Sequence, residues 1–214
     1  MSVKVVALDA AHPAHIDGWA ALFEACHCSC YCRFWHFSGT TNEWLERGAF
    51  SPDVNRAEHV QGVSAGDPSA RGLIALAASL PAPPRLATQS AEGANVVGWM
   101  KLTPRASVPK LRRGRVYGAL DLGDDSGVYS VGCFLVHPEY RGRGVARALV
   151  EGADEAVRGW GGSAIESYPR RSSELLRAEE VWLGPERLYI DAGYAQIAGE
   201  SPYPVYRKHL DRIG

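Results

Sequence analysis

Two glycines and three arginines crowd one short stretch. In HPEYRGRGVARAL, residues 137–149, Gly142 and Gly144 alternate with Arg141 and Arg143, Arg147 follows, and a helix-like run begins at once. The first turn of a helix leaves amide N–H groups without internal partners at the positive end of the dipole. Glycine keeps that backbone accessible and arginine adds charge, so the stretch suits an anion, a phosphate above all. A P-loop would need Lys and then Ser or Thr after its second glycine, where Val145 and Ala146 stand. A dinucleotide fingerprint would need a small residue in place of Arg147. Glu166 does fall about 20 residues on, near where a ribose-binding acid would sit, but too little chain follows for the remaining strands.

A second chemical signal is CHCSCYCRFW, which places Cys26, Cys28, Cys30 and Cys32 at strict two-residue spacing. On a strand all four would face one side, with His27, Ser29, Tyr31 and Arg33 on the other. Neighbouring cysteines would then lie roughly 6.5 Å apart, too far to pair. Structural zinc sites use Cys-x-x-Cys spacing, and a single intervening residue makes a tight chelate difficult even with His36 nearby. No metal is expected. Two readings stay open, a redox role and small hydrophobes lining a buried segment. Cys133, inside an apolar run, reads as buried and inert.

These groups need elements to hold them. VKVVALDA reads as a strand with Val3, Val5 and Ala7 on one side, and residues 13–25 place Ile16, Trp19, Ala20 and Phe23 at helical spacing. Thr41 or Asn42 is expected to cap a short helix, and another helix is expected over 54–70. Residues 72–79 and 95–103 look like neighbouring strands joined by a Pro-, Ala- and Ser-rich hairpin loop over 80–94. PRASVPKLRRGR reads as a basic loop. VYSVGCFLV (128–136) is a continuous apolar strand of the buried kind. The helix from Gly144 to about Gly159 carries Val145, Ala148, Leu149, Ala153, Ala156 and Val157 on one face. SAIESYP and PVYRKHL are further strands, and between them GPERLYIDAGY has Pro185 for a first turn and Gly193 for a C-cap. Strand–helix–strand units mixed with hairpins indicate an α/β (α+β) fold with a mixed sheet.

The whole chain sets outer bounds. Its 214 residues are 46% hydrophobic and 22% charged with a net charge of −1, which gives no electrostatic footprint for nucleic acid or an anionic membrane. The N-terminus lacks the basic flank and apolar core of a signal peptide, and no apolar run approaches the ~20 residues of a membrane span. Five cysteines, an odd number, argue against a secreted disulfide framework. A cytoplasmic protein is the expectation.

Arg141-x-x-Gly144-x-Ala146 preceded by FLVHPEY resembles the acetyl-CoA motif of the GNAT N-acetyltransferase superfamily. RLYIDAGYAQI is similar to that family's second motif, a helix ending in tyrosine and then a glycine-aromatic turn into a strand. Together the matching segments cover roughly residues 95–210, and VGWMKLTPR and IESYP resemble an uncharacterised bacterial subgroup. The resemblance implies a mixed, mostly antiparallel central sheet flanked by helices. It implies one domain over 1–214, with acceptor-site helices and the cysteine-rich segment in 1–70 and the acetyl-CoA core in 95–210. It also implies roles for particular residues. Backbone groups of Phe134, Leu135 and Val136 would pair with the pantetheine arm. The loop of Gly142, Arg143, Gly144, Val145, Ala146 and Arg147, with Arg141, would hold the pyrophosphate. Tyr189, four residues before Gly193, would protonate the departing thiolate, a phenol keeping its proton at neutral pH; it otherwise reads as a core tyrosine. Tyr31, Phe34 and Trp35 would shape an aromatic acceptor pocket, or belong to the core.

Two departures from the family pattern stand out. Family members often carry Asn a couple of turns before the tyrosine, where this chain has VWLGP. Many use a carboxylate on the long central strand as general base, and VYSVGCFLV has none. Glu166 is the nearest candidate; otherwise it is a strand-end carboxylate paired to an arginine such as Arg170. The implied activity is acetyl-CoA-dependent transfer to an amine by direct attack, acetyl-CoA and an amine acceptor being the partners. His27 beside Cys26 and Cys28 keeps a cysteine acyl-enzyme open. The alternative is a non-catalytic acyl-CoA or metal/thiol sensor module. A homodimer through pairing of the last strand is also an expectation.

Overall fold

The structure, a computed structural model, describes residues 3–78, 94–114, 116–174, 176–177 and 180–211. The loop expected over 80–94 lies outside them but for Ala94. A seven-stranded sheet runs through the molecule in the order β1-β2-β3-β4-β5-β7-β6. The strands are β1 (Val3–Ala7), β2 (Gly72–Ala78), β3 (Ala94–Pro104), β4 (Val128–Val136), β5 (Ala164–Ser167), β6 (Ala195–Ala198) and β7 (Val205–His209). Every pair is antiparallel except β4 with β5. A parallel pair needs a crossover, and helix α5 (Val145–Gly159) supplies it.

The face of α5 is periodic, as a helix lying on a sheet requires. Val145, Leu149, Val150, Ala153 and Val157 are buried, and they pack with Leu73, Val97, Met100 and Val131 from the strands. Ala148 and Ala156 are only half-buried, and Val150 takes a core place instead. The opposite face of the sheet is covered by helix α1 (Pro13–Ala25), whose Trp19, Leu22 and Phe23 pack on Ile74, Leu76, Val96 and Trp99. Helices α2 (Thr41–Phe50) and α3 (Pro52–Ser64) follow it. The cap of α2 is Thr40 rather than Thr41 or Asn42, because Glu43 three residues on closes a reciprocal capping box with it. The helix expected over 54–70 is α3 plus a separate 3-10 turn at Pro68–Ala70. In the expected basic loop the chain folds into a 3-10 turn at Arg105–Ser107 and a short helix, α4 (Pro109–Arg113).

The strand weighed for the cysteine segment is not formed: residues 26–32 run through turns, and a 3-10 turn follows at Phe34–His36. One sequence expectation changes at the C-terminal end of the sheet. The last strand, β7, is paired on both edges, with Val205 opposite Ala198 and Tyr206 opposite Ser167. With no edge left, it cannot add a strand from a second copy.

Candidate functional site

Strand β4 sets the site because its two ends have different neighbours. Residues Val128 to Ser130 pair with Ala164 to Glu166 of β5, and there that pairing stops. The other edge stays with β3 as far as Val136, through a bulge near Lys101 and Leu102. The far half of β4 therefore has one edge that no strand covers. Beside it opens a cavity of about 810 Å³, walled by Phe134, Leu135 and Val136 and by the loop from Tyr140 to Arg147. Leu135 pairs opposite Trp99 of β3, whereas the Phe134 amide turns to the uncovered side.

The loop entering α5 has the conformation the glycines permit. Gly142 and Gly144 have φ of +70° and +84°, and a Cβ built on either meets nothing within 4 Å. Side chains rarely adopt such angles, and the open space leaves the backbone approachable. Gly144 is the N-cap of α5, so the helix begins at the cavity wall. The Arg141 Nε donates to the Val136 carbonyl at 3.2 Å and ties the loop to the strand end. Arg143 lies over the Tyr140 ring, and Arg147 is 3.6 Å from Asp191.

One segment, Val181 to Pro185, closes the opposite wall. Its Trp182 carbonyl accepts from the Phe134 amide at 2.7 Å, and its Leu183 carbonyl accepts from the Tyr189 hydroxyl. Tyr189, on helix α6 (Glu186–Asp191), is fully buried and packs on Phe134 and Tyr194. Burial pushes its phenol well above the usual range, with Tyr194 adding to the effect. Tyr189 does not itself line the cavity, but Gly184 does. A Cβ on Gly184 would come 3.0 Å from the Tyr189 hydroxyl, and its φ is +84°. The glycine thus leaves the phenol one backbone away from the cavity. In the sequence, VWLGP shows only what it lacks, an asparagine; that its carbonyls reach Phe134 and Tyr189 has no local signal.

Glu166 lies elsewhere, fully buried and away from the cavity. Its Oε1 is held by Arg105 at 2.8 Å and by Arg207, and its Oε2 accepts from the Tyr168 hydroxyl at 2.7 Å. The expected partner Arg170 pairs with Glu180 instead. Position explains it: Glu166 stands opposite Arg207 on the neighbouring strand β7, and Arg105 reaches it from the end of β3.

The three aromatic residues separate. Tyr31 is buried and stacks on Phe23 with centroids 4.9 Å apart, so it is core beneath α1. Trp35 donates its indole N–H to the Gly132 carbonyl at 2.7 Å and packs on Trp182, so it borders the uncovered edge of β4. Phe34 faces outward, with the Lys110 ammonium 4.1 Å from its ring centre. From the cysteine segment, Cys26, His27 and Cys28 reach the cavity. Burial pushes Cys26 up to about 11 despite the opposing charge of Arg141. Among the described residues no group of three or more His, Cys, Asp or Glu is arranged to hold a metal ion, and no helix is long and apolar enough to cross a membrane.

Comparison with known proteins places this geometry. The acetyltransferase (GNAT) family profile matches residues 66–175. No curated protein matches the chain. Solved structures similar to it include the PaiA N-acetyltransferase of Thermoplasma acidophilum in complex with coenzyme A, at 12% identity and TM-score 0.51, covering 98% of this chain and 100% of that one. Another is yncA, a putative acetyltransferase from Salmonella typhimurium with acetyl-CoA, at 14% identity and TM-score 0.52, covering 99% and 95%. A third is a GCN5-related N-acetyltransferase from Kribbella flavida, at 17% identity and TM-score 0.51, covering 97% and 98%. At these identities the likeness carries the fold. The family match spans the split strand, the glycine loop and the helix it starts, and on it the chain belongs to the GNAT acetyltransferase family.

Proposed function

We propose that this protein is an acetyl-CoA-dependent N-acetyltransferase that acetylates a primary amine of a small molecule or peptide by direct attack. The observation that carries the reading is the meeting, along one cavity, of two left-handed glycines at a helix start with the uncovered edge of β4. Backbone amides from Gly142 to Arg147 would hold the pyrophosphate, with Arg141, Arg143 and Arg147 adding charge at the rim. Their fit is supported by the open space over Gly142 and Gly144, which a side chain would fill. The edge of β4 at Phe134 and Val136 would align the pantetheine arm as an added strand would align. Acetyl-CoA supplies the activated acetyl group as a thioester.

The Phe134 N–H, once released by the Trp182 carbonyl, would donate to the thioester oxygen as negative charge builds there. Tyr189, once released by the Leu183 carbonyl, would pass its proton to the leaving sulfur. Both groups are held by consecutive carbonyls, so one shift of Trp182 and Leu183 frees the two together. We assign Glu166 to holding the sheet, since both of its oxygens are taken by Arg105, Arg207 and Tyr168; the amine would lose its proton through water. Trp35, beside the same edge, would form the acceptor wall with Phe34 beyond it.

Calorimetric titration with acetyl-CoA tests the reading. The wild type is expected to bind, and Gly144→Glu, which adds bulk and negative charge to the loop, to lose at least about 100-fold in affinity. Equal binding by the two proteins would remove the loop from the site.

A further inference from the structure

The four clustered thiols are not equivalent. Cys32 is buried, its sulfur accepting from the Trp99 indole at 3.1 Å. Cys26 turns its sulfur to the Val136 carbonyl at 3.7 Å. Cys28 and Cys30 instead face each other, with their sulfurs 3.4 Å apart. An extended segment would hold residues two apart at roughly 6.5 Å. The segment is not extended: residues 26–32 run through turns. His27, Tyr31 and Cys32 have φ of +51°, +40° and +53°, and they are the non-glycine residues with positive φ among the described residues. Three such positions in six residues amount to stored strain of the sort found at functional sites. Cys28 also lines the cavity, while Cys30 lies behind it. A reactive pair would be arranged in this way, with one sulfur accessible to a small molecule and the second within reach of the first.

We propose that Cys28 and Cys30 are a redox pair, converted to an intramolecular disulfide by a small organic disulfide that enters the cavity. Cys28, whose thiol the Cys30 hydrogen bond and burial hold above the usual range, gives up its proton to water and attacks one sulfur of the reagent R–S–S–R; the Cys28–S–S–R bond forms, and R–S⁻ leaves and takes up a proton. Cys30 then attacks the Cys28 sulfur, the Cys28–Cys30 bond forms, and the second R–SH departs. Two protein thiols are oxidised and one reagent disulfide is reduced to two thiols. Closing the bond draws the Cys28 sulfur toward Cys30 from 3.4 Å to about 2 Å, and since Cys28 lines the cavity, it reshapes that wall. The regulatory consequence rests on the cavity being the acetyl-CoA site; the pairing does not.

Oxidised glutathione is the probe. Treatment of the folded protein is expected to remove two of the five free thiols, and peptide mass mapping to join Cys28 to Cys30. Cys30→Ser is expected to stop at a glutathione adduct on Cys28, and Cys28→Ser to form neither product. The oxidised wild type is then expected to bind acetyl-CoA at least about ten-fold more weakly than the reduced form, and reduction to restore it. No bond, or a bond mapped to other cysteines, overturns the pair. A mapped pair with unchanged affinity overturns its hold on the cavity. Reduced protein that fails to bind acetyl-CoA counts against the acetyltransferase reading alone, because the mapping stands apart from it.

Discussion

The two halves of β4 share one apolar run and have opposite surroundings. At Tyr129 and Ser130 the strand is paired on both edges, and the Ser130 hydroxyl joins Tyr168, Glu166, Arg105 and Arg207 in a buried polar network. From Val131 to Val136 one edge has no strand, and its polar groups meet an indole, a loop carbonyl and an arginine instead. A side-chain or loop partner can leave when a ligand offers a replacement, whereas a ladder between strands cannot leave without loss of the sheet. The closed half holds the sheet, and the open half borders the cavity.

The largest effect is expected in the closed half. Arg105→Ala removes a fully buried guanidinium from Glu166 and takes its donor from the carbonyls of Gly123 and Asp124. Breaking a buried ion pair from one side costs about 3–5 kcal/mol. Urea unfolding should show that loss, while acetyl-CoA affinity of the folded fraction stays put. A parallel loss of affinity would mean that the two halves are coupled.

Lys101 stands where the halves meet, opposite Cys133, with its ammonium donating to the Ser69 carbonyl. Burial lowers its pKa from 10.5 to about 8. Between those values the unfolded chain holds the proton that the folded chain has lost, so this lysine makes stability rise with pH across that window. Lys101→Met should remove the rise, a difference on the order of 3 kcal/mol between the two stability curves. Parallel curves from pH 8 to 10.5 would show that Lys101 does not titrate there.

In the open half, Tyr189→Phe is expected to lower turnover by about 10²-fold with little change in acetyl-CoA affinity, measured by thiol release and calorimetry. An unchanged rate would return Tyr189 to the core. The smallest change is expected for Trp35→Phe, which leaves the Gly132 carbonyl without its donor and costs about 1–3 kcal/mol in unfolding. A cost near zero would indicate that water already serves that edge.

The sequence by itself determined most of the elements and the glycine loop, because both are local. The run from Val128 to Val136 is β4 residue for residue. Gly142 and Gly144 announce a backbone that few other residues adopt, and the spacing of Val145, Leu149, Ala153 and Val157 orients α5 on the sheet. Tertiary structure decided what depends on distant neighbours. That β4 loses β5 after Ser130 comes from the course of two strands, and no residue in the run marks the point. Glu166 sits in a buried network because β7 places Arg207 opposite it and Arg105 arrives from a segment 61 residues away. Tyr31 went to the core and Trp35 to the open edge, although they are four residues apart, since the turns between them point them apart. The geometry of the cysteines was decided in the same way. On a strand, two-residue spacing would hold the sulfurs apart, but the segment runs through turns and two sulfurs come into contact. Spacing fixes geometry only where the backbone is regular, and here packing against the rest of the molecule set the backbone.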